Sequence, residues 1–248
     1  MPDRSPHQQR QFLRTLFIGN SYTHTHEMPA IIQRLAESAG DSFAFGMRAP
    51  GGWSLEQHYN DQETRATIRQ GGWDIIVLQD QSQRPAMPIL RVRRQFFRYV
   101  RRLNRFIWWH LRPKPSIVLY MTWGRKDGDA DNRSYYPPVG TFEGMTALLK
   151  ERYECMAKKI GARVSPVGEA WAYARQHYPE IELYQEDGHH PSPAGSYLAA
   201  CCFYATFFGK DPALMSYDFS LEPETAEKLR AAASAVAWGG GQEARGGG

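Results

Sequence analysis

The 248-residue chain has little cysteine, little net charge and no long apolar run, and each shortage narrows what it can be. Its three cysteines, Cys155, Cys201 and Cys202, are odd in number and two of them are adjacent. That is no disulfide framework, and no Cys-x-x-Cys pair suggests zinc. A reducing compartment fits this usage. The formal net charge of +4 is mild and gives no argument by itself for a nucleic-acid partner. The opening residues, MPDRSPHQQRQ, lack the apolar core of a secretory signal. The longest uncharged stretch runs from Pro191 to Gly209, but its apolar part, Tyr197 to Phe208, is only about 12 residues long. That length suits a buried core helix and not a membrane span. The expectation is a cytoplasmic protein with no membrane-spanning segment.

Hydrophobic residues make up 42% of the chain and charged residues 23%, which excludes a mostly disordered protein. No internal repeat and no linker divides it. The expected organisation is a flexible N-terminus over 1–12, one domain over 13–238, and a flexible glycine-rich tail over 239–248. Five short apolar runs predict buried strands: Thr15–Ile18, Phe43–Met47, Ile75–Leu78, Ile117–Met121 and Arg163–Val167. They lack clean alternation, as strands of a parallel sheet covered on both faces do. Helical stripes lie between and after them, at Pro29–Ala39, Val92–Trp108, Phe142–Ile160, Ala194–Phe208 and Pro223–Val236. Strands alternating with helices predict a three-layer α/β/α domain with a five-stranded, mostly parallel, flavodoxin-like sheet. Ligands bind such sheets at the carboxyl ends of the strands, here just after residues 18, 48, 79 and 122.

One helix is unusual. Residues 91–105 hold arginines at 91, 93, 94, 98, 101, 102 and 105 and no acid. The segment reads either as a nucleic-acid or membrane-surface patch or as the solvated face of a core helix, and its apolar stripe favours the second.

Gly19-Asn20-Ser21-Tyr22-Thr23 follows the first strand. A serine between a strand end and a helix sits on a tight turn and points into the ligand crevice, the placement a nucleophile needs. It also reads as a plain helix-capping serine. Asp187-Gly188-His189-His190-Pro191 precedes the helix at Ala194. An Asp and a His three residues apart on one turn reach the same side, so the carboxylate can orient the imidazole. Together, at opposite ends of one α/β domain, these two segments resemble the first and last blocks of the SGNH (GDSL-like) hydrolase superfamily.

The resemblance covers residues 14–208. It implies Ser21 as nucleophile, His190 as general base and acid, and Asp187 as the orienting carboxylate. It also implies an oxyanion hole built from the Ser21 N–H, a glycine N–H and a side-chain amide. The glycine block would be Ala49-Pro50-Gly51-Gly52-Trp53, with Gly52 favoured over Gly51, although Pro-Gly also makes an ordinary turn. The family's third block is Gly-x-Asn-Asp. Here Leu78-Gln79-Asp80-Gln81-Ser82-Gln83 stands in its place and has no Asn. Counting from Asp74 favours Gln83 as the amide donor, and nearness to the strand end favours Gln81. The first block departs as well, with Gly-Asn-Ser in place of Gly-Asp-Ser, which suggests a divergent branch.

Trp53, and Trp123 in the long polar loop from Trp123 to Val139, are expected substrate contacts. That loop also carries Arg125, Tyr135 and Tyr136. A loop of this length suits an active-site lid, and its aromatics either stack on a sugar or cover the loop's underside. The expected reaction is hydrolysis of a small-molecule ester without cofactor or metal; a sugar acetyl ester, a lipid ester and a thioester all remain open. One rival is a metal-dependent hydrolase using His24 and His26 with Asp187, His189 and His190. The strand count is too low for the barrel that pattern belongs to. His189 is otherwise expected at the surface or behind the site. The second rival is a non-catalytic binding protein on the same fold. Oligomeric state is not legible.

Overall fold

The computed structural model describes residues 12–238, so both terminal segments expected to be flexible lie outside the described residues, apart from Phe12. Phe12 is already sheet, opposite Ser42. Five strands form one sheet: β1 (Phe12–Ile18), β2 (Ser42–Arg48), β3 (Ile75–Leu78), β4 (Ser116–Tyr120) and β5 (Arg163–Ser165). Their order is β2-β1-β3-β4-β5 and every pairing is parallel. A flavodoxin-like sheet has this order, with the strand order reversing beside β1.

The helices are α1 (Ser21–His24), α2 (Met28–Ser38), α3 (Leu55–Asn60), α4 (Gln62–Arg69), α5 (Ile89–Val92), α6 (Arg98–His110), α7 (Phe142–Ile160), α8 (Val167–His177), α9 (Pro193–Phe208) and α10 (Pro223–Ala233). A π-type turn over Arg93–Phe97 joins α5 to α6 without leaving helical dihedrals at its ends. Successive strand residues point to opposite faces, so each central strand feeds two cores. Phe17, Val77, Val118 and Tyr120 pack with α2, α8, α9 and α10. Leu16, Ile18, Ile76, Leu78 and Leu119 pack with α3, α4, α6 and α7. The strands carry Val, Ile and Leu without alternation because both faces are covered.

Two differences from the sequence reading have clear causes. The fifth strand stops at Ser165, and Val167 opens α8, because Pro166 has no N–H to continue the ladder. The pair α3 and α4 is absent from the apolar pattern because it is mostly polar. Of its residues only Leu55, His58, Thr64 and Ile68 are buried. Its start signals are nonetheless strong: Ser54 and Gln57 form a capping box, and Asp61 caps α4 by accepting from the Thr64 N–H.

The helix α9 is buried nearly all round. It sits close to its neighbours because Gly195 has no side chain. A Cβ there would lie 2.4 Å from the Leu183 carbonyl oxygen and 2.4 Å from the Trp171 ring. Gly195→Ala gains helix propensity of about 1 kcal/mol. It also forces a backbone carbonyl and a fully buried indole apart, and neither can yield locally. Overpacking of this kind costs about 1–3 kcal/mol, so the variant is expected to be less stable than wild type in urea denaturation despite its better helix former. A variant as stable as wild type would contradict this packing.

Candidate active site

The first segment of the site is fixed by a turn with no spare room. A Cβ at Gly19 would lie 2.4 Å from Thr23 Oγ1 and 2.5 Å from Gln79 Oε1, so only glycine fits. Asn20 is extended, and its Oδ1 accepts from the Tyr22 N–H at 3.1 Å, which starts α1 at Ser21. Asn20 and the buried Gln79 bond reciprocally, N–H to Oε1 and Nε2 to Oδ1, each at 2.9 Å. Asn20 Nδ2 also donates to the Trp53 carbonyl at 2.8 Å. One asparagine thus ties the ends of β1 and β3 to the glycine turn after β2. Beneath it the buried His58 holds the Gly19 carbonyl, with Nε2 2.6 Å from the oxygen. Burial, only partly offset by that hydrogen bond, pushes the His58 imidazole down to about 4, so it is a neutral donor there at neutral pH.

The last segment is an equally tight turn, closed by an antiparallel bridge between Tyr184 and Pro191. Gly188 adopts φ +69°, in the left-handed region. Asp187 Oδ1 accepts the N–H groups of His189 and His190, each at 2.9 Å, and Oδ2 lies 2.6 Å from His190 Nδ1. His190 Nε2 lies 2.8 Å from Ser21 Oγ. Burial works to raise the Asp187 carboxyl. The His189 N–H, the His190 ring and the His190 N–H outweigh it and hold the group down at about 2. Asp187 is therefore ionised at any working pH. An ionised Asp187 fixes the proton on His190 Nδ1 and leaves Nε2 to accept from the Ser21 hydroxyl.

Ser21, His190 and Asp187 are thus brought into one hydrogen-bonded chain. Gly52 lies at φ +71° on the exposed turn after β2, with open space where a side chain would stand. The Ser21 and Gly52 N–H groups donate to no partner among the described residues. Gly52, Gln81 and Gln83 line one cleft of about 240 Å³ together with Arg84, Arg91 and Asn132. Gln81 Nε2 donates to Gln83 Oε1 at 3.0 Å, and Gln83 Nε2 donates to Asp129 Oδ2 at 2.9 Å. Each amide keeps one further N–H. Trp53 is half-buried and packs edge-on against His58 at 5.1 Å.

Trp123 is not a substrate contact. It is 1% exposed, stacked between Tyr22 at 4.7 Å and Trp171 at 3.7 Å, and its Nε1 donates to the His189 carbonyl. An indole between two parallel rings has no free face for a ligand. The loop it opens is pinned by Asp129, which is fully buried and accepts from Gln83, Asn132 and Arg125.

His24 and His26 do not join a metal-type cluster either. His24 is exposed, and His26 Nδ1 lies 3.0 Å from Ser196 Oγ. Among the described residues the three-donor group is Asp187, His189 and His190, with ligand atoms within 4.8 Å of one another. Both ring nitrogens of His190 are already engaged by Asp187 and Ser21. Asn20, Gln79, His58, Asp80 and Asp129 are the supporting residues that sequence reasoning missed. Only Gln79 and Asp80 carried a signal, two polar residues directly after a buried strand.

No protein-family model and no curated protein matches the sequence. Solved structures do match. A DUF4886 family protein from Bacteroides uniformis is 18% identical with a TM-score of 0.78, covering 91% of this chain and 94% of that one. A candidate SGNH hydrolase from Slackia heliotrinireducens is 29% identical with a TM-score of 0.63, covering 78% of this chain and 98% of that one. An acetylxylan esterase from Geobacillus stearothermophilus, solved as a catalytic mutant, is 13% identical with a TM-score of 0.53, covering 80% and 94%.

Asp80 gives a stability test of this architecture. It is fully buried; Oδ1 accepts from the Leu55 N–H at 2.9 Å and the Gln81 N–H at 2.8 Å, and Oδ2 has no partner. Burial, against those two hydrogen bonds, raises its carboxyl to about 6 from an ordinary 3.8. The folded state therefore binds this proton more tightly than the unfolded chain. Its stabilising effect is complete below about pH 4 and is lost as pH rises through about 6. Asp80→Asn keeps the acceptor and cannot ionise. Urea denaturation from pH 4 to pH 7 should show wild type losing on the order of 3 kcal/mol relative to the variant. A constant difference across that range would contradict the buried-carboxyl assignment.

Proposed function

We propose that the chain, which shares its fold with a candidate SGNH hydrolase 29% identical to it, is a serine ester hydrolase working through Ser21, His190 and Asp187. One observation carries the reading. A serine at the carboxyl end of the first strand, a histidine and an ionised aspartate form a continuous chain of 2.8 and 2.6 Å contacts. That satisfies the geometric requirement for an activated nucleophile, base within reach and base oriented by a third group.

Ser21 Oγ attacks the ester carbonyl while its proton passes to His190 Nε2. The imidazolium that forms is stabilised by Asp187 across the Nδ1–H bond. The developing oxyanion accepts from the Ser21 and Gly52 N–H groups, which have no other partner among the described residues. An amide N–H of Gln81 or Gln83 is the third donor. The imidazolium then returns its proton to the leaving alcohol, giving an acyl-Ser21 intermediate. His190 activates a water that releases the acid and restores the serine. The chain itself supplies nucleophile, base and oxyanion donors, so the scheme invokes no cofactor or metal.

The cleft beside Gly52 favours a polar substrate. Gln81, Gln83, Arg84, Arg91 and Asn132 offer donors to a hydroxyl-rich alcohol and little apolar wall for a long acyl chain. A short acyl group on a carbohydrate fits this lining. The fold similarity to an acetylxylan esterase makes acetylated sugar the first substrate to test.

The decisive experiment is a p-nitrophenyl ester panel of rising acyl length, with a fluorophosphonate probe run alongside. Acetate should be the best substrate, and the probe should label wild type but not Ser21→Ala. Ser21→Ala should lose activity by a factor on the order of 10⁶. Asp187→Asn should lose on the order of 10⁴, because the amide no longer stabilises the imidazolium. His189→Ala should retain most activity and His190→Ala almost none. The reverse result for the two histidines, or a Ser21→Ala enzyme near the parent rate, would sink the mechanism.

A further inference from the structure

The arginine helix is not accounted for by the fold or by the ester-hydrolase reading. Its core-facing side needs only Val92, Phe96, Val100, Leu103 and Ile107, all buried on the sheet. The outward side carries Arg98, Arg101 and Arg105 at helical spacings of three and four, all exposed. No acidic residue occurs in the sequence between Asp80 and Asp127. None of the seven arginines over 91–105 forms an ion pair among the described residues. The carboxylate facing Arg98 is Glu56, which is already bridged to Arg84. Like charges at these spacings repel, and apart from the Glu56 carboxylate shared with Arg84 no counter-charge among the described residues relieves that penalty. An ordinary solvated helix face mixes both signs.

The same outward line ends in Trp108 and Trp109, 47% and 68% exposed, with Lys114 Nζ 3.6 Å and Arg112 5.4 Å from the Trp108 ring centre. At its other end Leu90 is 63% exposed. Cations along a helix, flanked at both ends by exposed apolar side chains and lying flat on the protein, match an interfacial helix. Arginines face lipid headgroups, and tryptophans sit at the boundary between headgroups and acyl chains. Single-stranded nucleic acid fits less well. One face of Trp108 is covered by Lys114, and Trp109 stands at 77° to it, so the pair offers no parallel platform for bases.

We propose that the outward face of α5–α6, with Arg98, Arg101, Arg105, Trp108 and Trp109 at its centre and end, docks the protein on an anionic lipid surface. No helix among the described residues is long and apolar enough to cross a membrane, so this attachment is peripheral. The strip begins at the cleft beside Gly52, where Arg91 is part of the wall, and ends roughly 27 Å away at Trp109. Docking along it holds the cleft's rim beside the bilayer.

The test uses the full chain with sedimented vesicles of phosphatidylcholine alone or mixed with phosphatidylglycerol. Wild type should bind only the mixed vesicles, and binding should fall steeply with added salt. Each arginine neutralised should weaken binding about fivefold, so R98Q/R101Q/R105Q should lose about a hundredfold while its circular dichroism and thermal midpoint stay as in wild type. W108A/W109A should weaken binding and remove the blue shift of tryptophan emission that vesicles induce. Equal binding to neutral vesicles, no binding to either kind, or wild-type binding by the triple glutamine variant would each overturn the proposal. So would single-stranded RNA displacing the mixed vesicles at matched ionic strength, which would make the strip a nucleic-acid surface.

Discussion

The reciprocal pair of hydrogen bonds between Asn20 and Gln79 is the constraint on which the site depends. Parallel strands end at one edge of the sheet with their last backbone groups unpaired, and those groups must be satisfied before anything can be placed there. Backbone bonds from the Gly19 N–H to Arg48 and from the Gln79 N–H to Ile18 begin this at the ends of β1 and β3, and Gln79 then takes the Asn20 N–H and locks the Asn20 side chain with two 2.9 Å bonds in a buried setting. The remaining Asn20 amide then reaches the Trp53 carbonyl and brings in the turn after β2. Because the network is closed, it has one arrangement. Ser21 is the next residue along, so its position follows from satisfied polar groups and not from packing of its own small side chain.

That dependence explains what the sequence could and could not reveal. Ile75–Leu78 and Phe142–Ile160 match their predicted bounds because burial on both faces, or along one helical stripe, writes itself into composition. The polar pair α3 and α4 escaped because hydrogen-bonded caps define it and apolar residues hardly do. Trp123 was misread for a related reason. Its neighbours in the chain are polar, while its fate is decided by Tyr22 and Trp171, distant in sequence and stacked on its two faces. Ser21, Asp187 and His190 were legible as a spacing, but the spacing alone did not say that the two turns meet. The choice between Gln81 and Gln83 was not legible at all. Both amides belong to one relay that ends on Asp129, a buried carboxylate in a loop whose composition looks solvated.

The buried polar groups around the site differ in how completely they are satisfied. Asp129 accepts from three side chains, and His58 bridges Gly19 and Thr64. Asp80 keeps Oδ2 without a partner beside the glutamine turn. A half-satisfied buried carboxyl is destabilising. Its neutral form relieves that cost at low pH. The turn above it, which carries both glutamines, hangs from Asp80 Oδ1 through the Gln81 N–H. Local stability at this corner of the cleft is therefore lower than at the Asn20–Gln79 corner. The half of the site that positions Ser21 is the rigid one.

Two adjacent histidines share one carboxylate, and the geometry decides which of them it serves. Asp187 Oδ2 is 2.6 Å from His190 Nδ1 but 3.4 Å from His189 Nε2. His189 is turned onto Tyr22, at 22° between rings, and its carbonyl is held by the Trp123 indole. Burial first, then the neighbouring His190 and Arg125, lowers the His189 imidazole and outweighs the pull of Asp187. A neutral His189 does not compete for the carboxylate's charge, which is left to stabilise a proton on His190. The aromatic stack of Tyr22, Trp123 and Trp171 thus does more than fill the core. Tyr22 follows Ser21 on α1, and Trp123 holds the backbone just before His190. One rigid stack therefore holds the two turns so that Ser21 Oγ lies 2.8 Å from His190 Nε2, the reach that the proposed proton transfer needs.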